Sequence, residues 1–113
     1  MNKCFLIGRL TKDPDLRYTN SGKEVCNFTL AVDGYGERTD FIKITAWGKT
    51  AKNVAEYMEK GRMCAVAGEL HIDKKEEKYY TSVNANQVKF LGGGRKKKET
   101  DDDLQEGDFD VDF

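Results

Sequence analysis

The chain has 113 residues, 38% hydrophobic and 35% charged, with 19 basic and 20 acidic side chains giving a formal net charge of −1. That length supports one small domain with a single core, and no apolar run suits a membrane span or a signal peptide, since Cys4-Phe5-Leu6-Ile7 is interrupted by Gly8-Arg9. Cys4, Cys26 and Cys64 are far apart, His71 is the lone histidine, and neither shows metal-ligand spacing. Taken in chain order, apolar alternation and β-branched residues predict five strands, at 3–10, 24–32, 41–47, 62–72 and 79–90. Each cysteine falls in phase with the apolar face of its strand, as a small buried hydrophobe does in a reducing compartment. A long loop rich in turn formers, from Asp13-Pro14-Asp15 to Asn20-Ser21-Gly22, separates the first two strands. Asp33-Gly34-Tyr35-Gly36 begins the turn between the second and third. Ala51, Val54, Ala55 and Met58 recur with helical period, with Thr50 placed as N-cap and Gly61 as the C-terminal stop. The fifth strand is the weakest prediction, because Asn84 and Asn86 are poor strand formers.

Three strands, one short helix and two more strands in about ninety residues fit an all-β fold, a five-stranded OB-fold Greek-key barrel with the helix between strands three and four. A three-layer α/β fold needs more helices than this. The expected organisation is a barrel domain over 1–91, a Gly/basic linker over 92–98 and an acidic tail over 99–113.

Strand three separates two faces. Ile42, Ile44 and Ala46 are apolar, while Phe41, Lys43, Thr45 and Trp47 alternate with them. A core rejects the lysine and a plain solvent face rarely carries both rings. Aromatics interleaved with a cation make a platform on which bases stack and phosphates are held, although rings capping the barrel end are the structural alternative. The long first loop adds Lys12, Arg17 and Lys23, with Tyr18 beside Arg17. The loop before strand five holds Lys74, Lys75 and Lys78, diluted by Asp73, Glu76 and Glu77, so a solvated charged hairpin is equally consistent. Arg9 shares a face with Phe5 and Ile7, which places it on the nucleic-acid path or at an oligomer edge.

Catalytic signals are weak. Trp47-Gly48-Lys49-Thr50 contains Gly-Lys-Thr, but Lys43 stands where a phosphate loop needs its first glycine, and Gly34-Tyr35-Gly36 lacks the third glycine of a dinucleotide fingerprint. No catalytic residue, metal or cofactor is expected.

The charge is unevenly distributed. Residues 1–94 hold 15 basic and 12 acidic side chains, a net of +3, whereas 99–113 hold eight acids and no base. A self-repelling segment with few apolar groups is expected to be disordered. Its Phe109, Val111 and Phe113 exceed what a solubility appendage needs, so Asp110, Val111, Asp112 and Phe113 read as a partner-docking tip.

Met1-Asn2-Lys3, the run from Leu6 through Arg9 and Asp13-Pro14-Asp15 to Tyr18, Phe28-Thr29-Leu30-Ala31-Val32, Trp47-Gly48-Lys49 with Ala51, and Lys60-Gly61 through Gly68-Glu69-Leu70 together resemble bacterial single-stranded DNA-binding proteins over residues 1–91. The resemblance implies an OB-fold, no catalysis, a homotetramer formed through strand-one edges and sheet contacts, and a tail tip that recruits replication, recombination and repair proteins. It places the stacking aromatics at Phe41 and Trp47, with Lys49 beside them, a third at Tyr35, and Lys75 where a fourth ring usually stands. The tip lacks a proline before Phe113, so a phage, plasmid or secondary-paralogue origin stays open, in a cytoplasmic, nucleoid-associated setting. An RNA-binding OB module and a protein-interaction adaptor using Phe41 and Trp47 are the rival readings.

Overall fold

In the computed structural model, which describes residues 1–92, the alternation in the sequence becomes the two faces of one closed sheet. The strands are β1 (Cys4–Leu10), β2 (Asp15–Tyr18), β3 (Glu24–Asp33), β4 (Thr39–Trp47), β5 (Met63–Lys75) and β6 (Lys78–Phe90), with α1 (Gly48–Tyr57) between β4 and β5. Their hydrogen-bonded order is β1-β5-β6-β4-β3-β2. β1 also pairs with β3 at Arg9–Ala31 and Leu10–Leu30, which closes five strands into a barrel. Only β4 and β6 run parallel; every other pairing is antiparallel. This is the Greek-key OB-fold arrangement expected from the sequence, with β2 laid on the outer edge of β3.

The interior is filled by the apolar phase of each strand. Cys26, Leu30, Ile44, Ala46, Val66 and Val83 are at most 1% exposed, and Ala51, Val54 and Met58 of the helical segment close one end of the barrel against them. Burying each Leu, Ile, Val or Met among these contributes about 1.5–3 kcal/mol before the entropy of ordering is set against it. The two buried thiols belong to this interior. Burial pushes Cys64 up to about 12, and burial, followed by the negative charge of Asp15, pushes Cys26 up to about 11.

Two glycines permit geometry that a side chain would block. Gly48 has a φ of +60°, which lets β4 pass straight into α1 without a loop. At Gly68 a Cβ would strike the carbonyl of Asn84, and the register slips between Ala67 and Gly68. β5 has no β1 partner beyond Gly68 and β6 no β4 partner before Ser82, so residues 69–75 and 78–81 continue as a two-stranded arm.

Three expectations need correction. The long first loop contains a sixth strand, β2, whose Leu16 turns inward while Asp15, Arg17 and Tyr18 stay exposed. Four residues following a proline are too few to show a period. The helix begins at Gly48 rather than after Thr50, and Trp47 is its N-cap without any side-chain cap bond. It ends with Met58 as C-cap, three residues before Gly61, whose N–H instead donates to the Leu10 carbonyl at 2.9 Å. Finally, Lys74, Lys75 and Lys78 are not in a loop. They lie in the paired arm, whose turn is only Glu76 and Glu77, both at positive φ.

Candidate nucleic-acid interface

The outer face of the β2-β3-β4-β6 surface can be built row by row from the strand registers. One row runs Arg17, Val25, Trp47; the next Asp15, Asn27, Thr45, Asn84; the next Thr29, Lys43, Ser82; and the last Arg9, Ala31, Phe41. Directly opposed residues share a face, so these side chains form one continuous surface. The inward residues between them, Cys26, Phe28, Leu30, Ile44 and Ala46, are core. The platform read from β4 alone therefore has its predicted sidedness, with Phe41 67% and Trp47 41% exposed at its two ends. Six residues of strand put the rings about 20 Å apart, with Lys43 between them.

Polar contacts order the middle of this surface. The Thr45 hydroxyl donates to Asn27 Oδ1 at 3.0 Å across β3 and β4. No sequence motif marks Asn27, although the alternation of Val25, Asn27, Thr29 and Ala31 with the apolar phase of β3 places it on the outer face. Lys23 also gains a definite place, with its ammonium 5.5 Å from the centre of the Trp47 ring. That contact holds a cation beside the surface a base would use. Arg17 donates to Asp15 at 3.0 Å, and both side chains are more than half exposed. Such an exposed pair is worth little and is readily exchanged for a phosphate.

The remaining predicted residues divide. Arg9 shares a row with Phe41 through Ala31, two strands away, and donates to the Gly61 carbonyl at 3.1 Å. Lys12 is exposed immediately after β1, and Lys49 is exposed in the first turn of α1, one strand-to-helix step from Trp47. Tyr35, in the β3–β4 turn, is 95% exposed and lies beyond the sheet platform. Lys74 and Lys75 are separated by the alternation of β5. Lys75 falls on the platform side opposite Lys78, while Lys74 falls on the other side, 5.6 Å from the Tyr79 ring. The docking residues Asp110, Val111, Asp112 and Phe113 lie outside the described residues. Among the described residues no His/Cys/Asp/Glu group is arranged to hold a metal ion, and no helix is long and apolar enough to cross a membrane.

Comparison with known proteins gives a consistent result. The family model described as the single-strand binding protein family matches residues 1–91. A protein named single-stranded DNA-binding protein 2 from Clostridium acetobutylicum is 44% identical over 122 aligned positions, covering 98% of this chain and 88% of that protein. A single-stranded DNA-binding protein from Bacillus cereus is 46% identical over 112 positions, 86% of this chain and 66% of the relative. Among solved structures, the single-stranded DNA binding protein from Thermus aquaticus superposes with a TM-score of 0.72 at 36% identity, over 87% of this chain. This chain spans less than half of that protein, 44% of its length.

Proposed function

The chain belongs to the single-strand binding protein family, and we propose that it binds single-stranded DNA without sequence preference, protects it, and recruits replication, recombination and repair proteins through the acidic tip at Asp110, Val111, Asp112 and Phe113. The observation that carries the binding half is the β4 face, with two exposed rings flanking Lys43 on a surface bordered by Arg9, Arg17 and Lys23. Bases stack on Phe41 and Trp47, stacking is indifferent to base identity, and the cations track the backbone. Chemistry on the DNA is not part of this reading. Trp47 is the sole tryptophan, so its emission during titration with poly(dT) is the direct test. Quenching to saturation supports the reading, and an unchanged signal refutes it. Equal affinity for matched DNA and RNA oligomers would transfer the reading to RNA.

Self-association to a tetramer accompanies this function. Phe5 and Ile7 are 66% and 57% exposed on β1, whose contact with β3 is confined to Arg9 and Leu10. Apolar side chains beside an open strand edge favour pairing with another copy. A stable monomer in sedimentation equilibrium at micromolar concentration would overturn this.

The tail serves two purposes. Nineteen residues, from 95 to 113, can reach at most roughly 65 Å, against a largest domain extent of 47 Å. The eight acids of 99–113 are thus within reach of the basic face, where we propose that they compete with phosphates. Removing 99–113 should tighten DNA binding, most strongly at low salt, where the competition is least screened. Deleting 111–113 alone should leave DNA affinity nearly unchanged and abolish capture of partner proteins that dock Phe113 in an apolar pocket with a basic rim. Unchanged low-salt affinity after the long truncation would refute the competition, and identical partner capture after the short one would refute the docking.

A further inference from the structure

The arm adds a ring that β4 alone does not reveal. Pairing between β4 and β6 runs Lys43–Ser82, Ile44–Val83, Thr45–Asn84, with Ile44 and Val83 buried together in the core. Two residues before Lys43 and Ser82 on these parallel strands stand Phe41 and Tyr80. Both lie one step beyond the last paired residues, in phase with Lys43 and Ser82 and therefore on the outer face, and are 67% and 51% exposed. Tyr79, one residue earlier, falls on the opposite side of the arm with Lys74. The geometry points to Tyr80 as a base-stacking residue additional to Phe41 and Trp47, which extends the stacking face from the Phe41 end of the barrel onto the arm.

This inference rests on the proposed single-stranded DNA binding and extends it. The charges beside Tyr80 are mixed. Lys78 lies two residues away on its own strand and Lys75 opposes Lys78 across the arm, while Asp73 directly opposes Tyr80 and Glu69 opposes Asn84. Those acids offset the lysines, so the attraction at this point comes from the ring and the phosphate contacts lie elsewhere. Tyr80 should therefore contribute to affinity without contributing to the salt dependence. Its hydroxyl is not required, because a phenyl face stacks equally well.

The test uses the full chain and poly(dT) at several salt concentrations, with circular dichroism confirming that each variant is folded. Tyr80→Ala should bind roughly 5- to 150-fold more weakly with an unchanged log–log salt slope, Tyr80→Phe should bind like the parent, and Tyr79→Ala should change little. Photocrosslinking of the unsubstituted protein to a 5-iododeoxyuridine oligonucleotide should give adducts at Tyr80 as well as Phe41. Parental affinity of Tyr80→Ala beside weakened Trp47→Ala, with no adduct in the Tyr80 peptide, overturns the inference and leaves the DNA-binding reading standing. Unquenched Trp47 emission together with parental affinity of both alanine variants removes that reading and the inference with it.

Discussion

Trp47→Ala and Lys43→Met perturb the same sheet face and should fail in different ways. Trp47 is 41% exposed, so more than half of its surface is packed, and its truncation removes both a stacking face and apolar burial. At about 25 cal/mol per Å2, with up to ~150 Å2 buried, the truncation costs the fold about 2–4 kcal/mol. Binding must therefore be measured well below the variant's unfolding midpoint. On binding, the lost ring should cost about 1–3 kcal/mol per stacked base, nearly the same at every salt concentration. Lys43 is exposed, and its methylene stem is retained by methionine, so Lys43→Met leaves the fold intact. Losing one phosphate contact lowers the salt slope by about 0.7 on single strands, so a tenfold fall in salt widens the deficit by about fivefold. Titrating poly(dT) across that salt range, with intrinsic emission as the signal for Lys43→Met and anisotropy of a labelled oligonucleotide for Trp47→Ala, separates the two effects. Parallel salt slopes for Lys43→Met and the parent would refute the assignment of Lys43 to phosphate.

Two further perturbations probe the scaffold. Glu76 and Glu77 sit at φ of 48° and 71°, where a residue with a Cβ costs about 1–2 kcal/mol, so replacing them with Asn-Gly should slow amide exchange in the arm by roughly tenfold. An unchanged exchange rate there would show that the tip is not strained; a global melt is a poorer measure, since the arm can open without the barrel. Cys26 and Cys64 should resist thiol reagents at pH 8 in the native state and react on unfolding, because burial raises them to about 11 and 12. The sign of the pH effect follows. Both folded values lie above the ordinary 9.0, so the native state holds its protons longer, and their stabilising contribution is full below pH 9 and falls as pH rises towards 11–12. Rapid native-state labelling of Cys64 at pH 8 would contradict its placement inside the barrel.

The sequence shows the barrel because its strands are half-buried. Where one face meets the core and the other meets solvent, the period of two is written into the residues, as Ile42-Lys43-Ile44-Thr45-Ala46-Trp47 shows. Asn84 and Asn86 obscured β6 because strand propensity is measured on residues that pack. Asn84 instead lies on the polar outer face, opposite Thr45 and Glu69, where an amide has no packing to lose. β2 was hidden for a different reason. It is four residues long, and only Leu16 reports its inward side, so no local pattern distinguishes it from a loop until β3 supplies the partner.

The candidate site was legible in the same proportion. Phe41, Lys43 and Trp47 belong to one strand, and alternation alone puts them on one face. Tyr80 joins them only through a parallel pairing between strands separated in sequence by the helix and β5. Register over that distance depends on how the barrel closes, and nothing near Tyr80 states it; Tyr79 and Tyr80 read locally as two equivalent rings on a charged hairpin. Closure makes them inequivalent, since Val83 must point into the core, which puts Tyr80 on the face that carries Phe41 and Tyr79 on the opposite one. The buried phase of β6 thus decides which tyrosine meets the DNA path, and a residue with no contact to DNA fixes the surface that DNA would use.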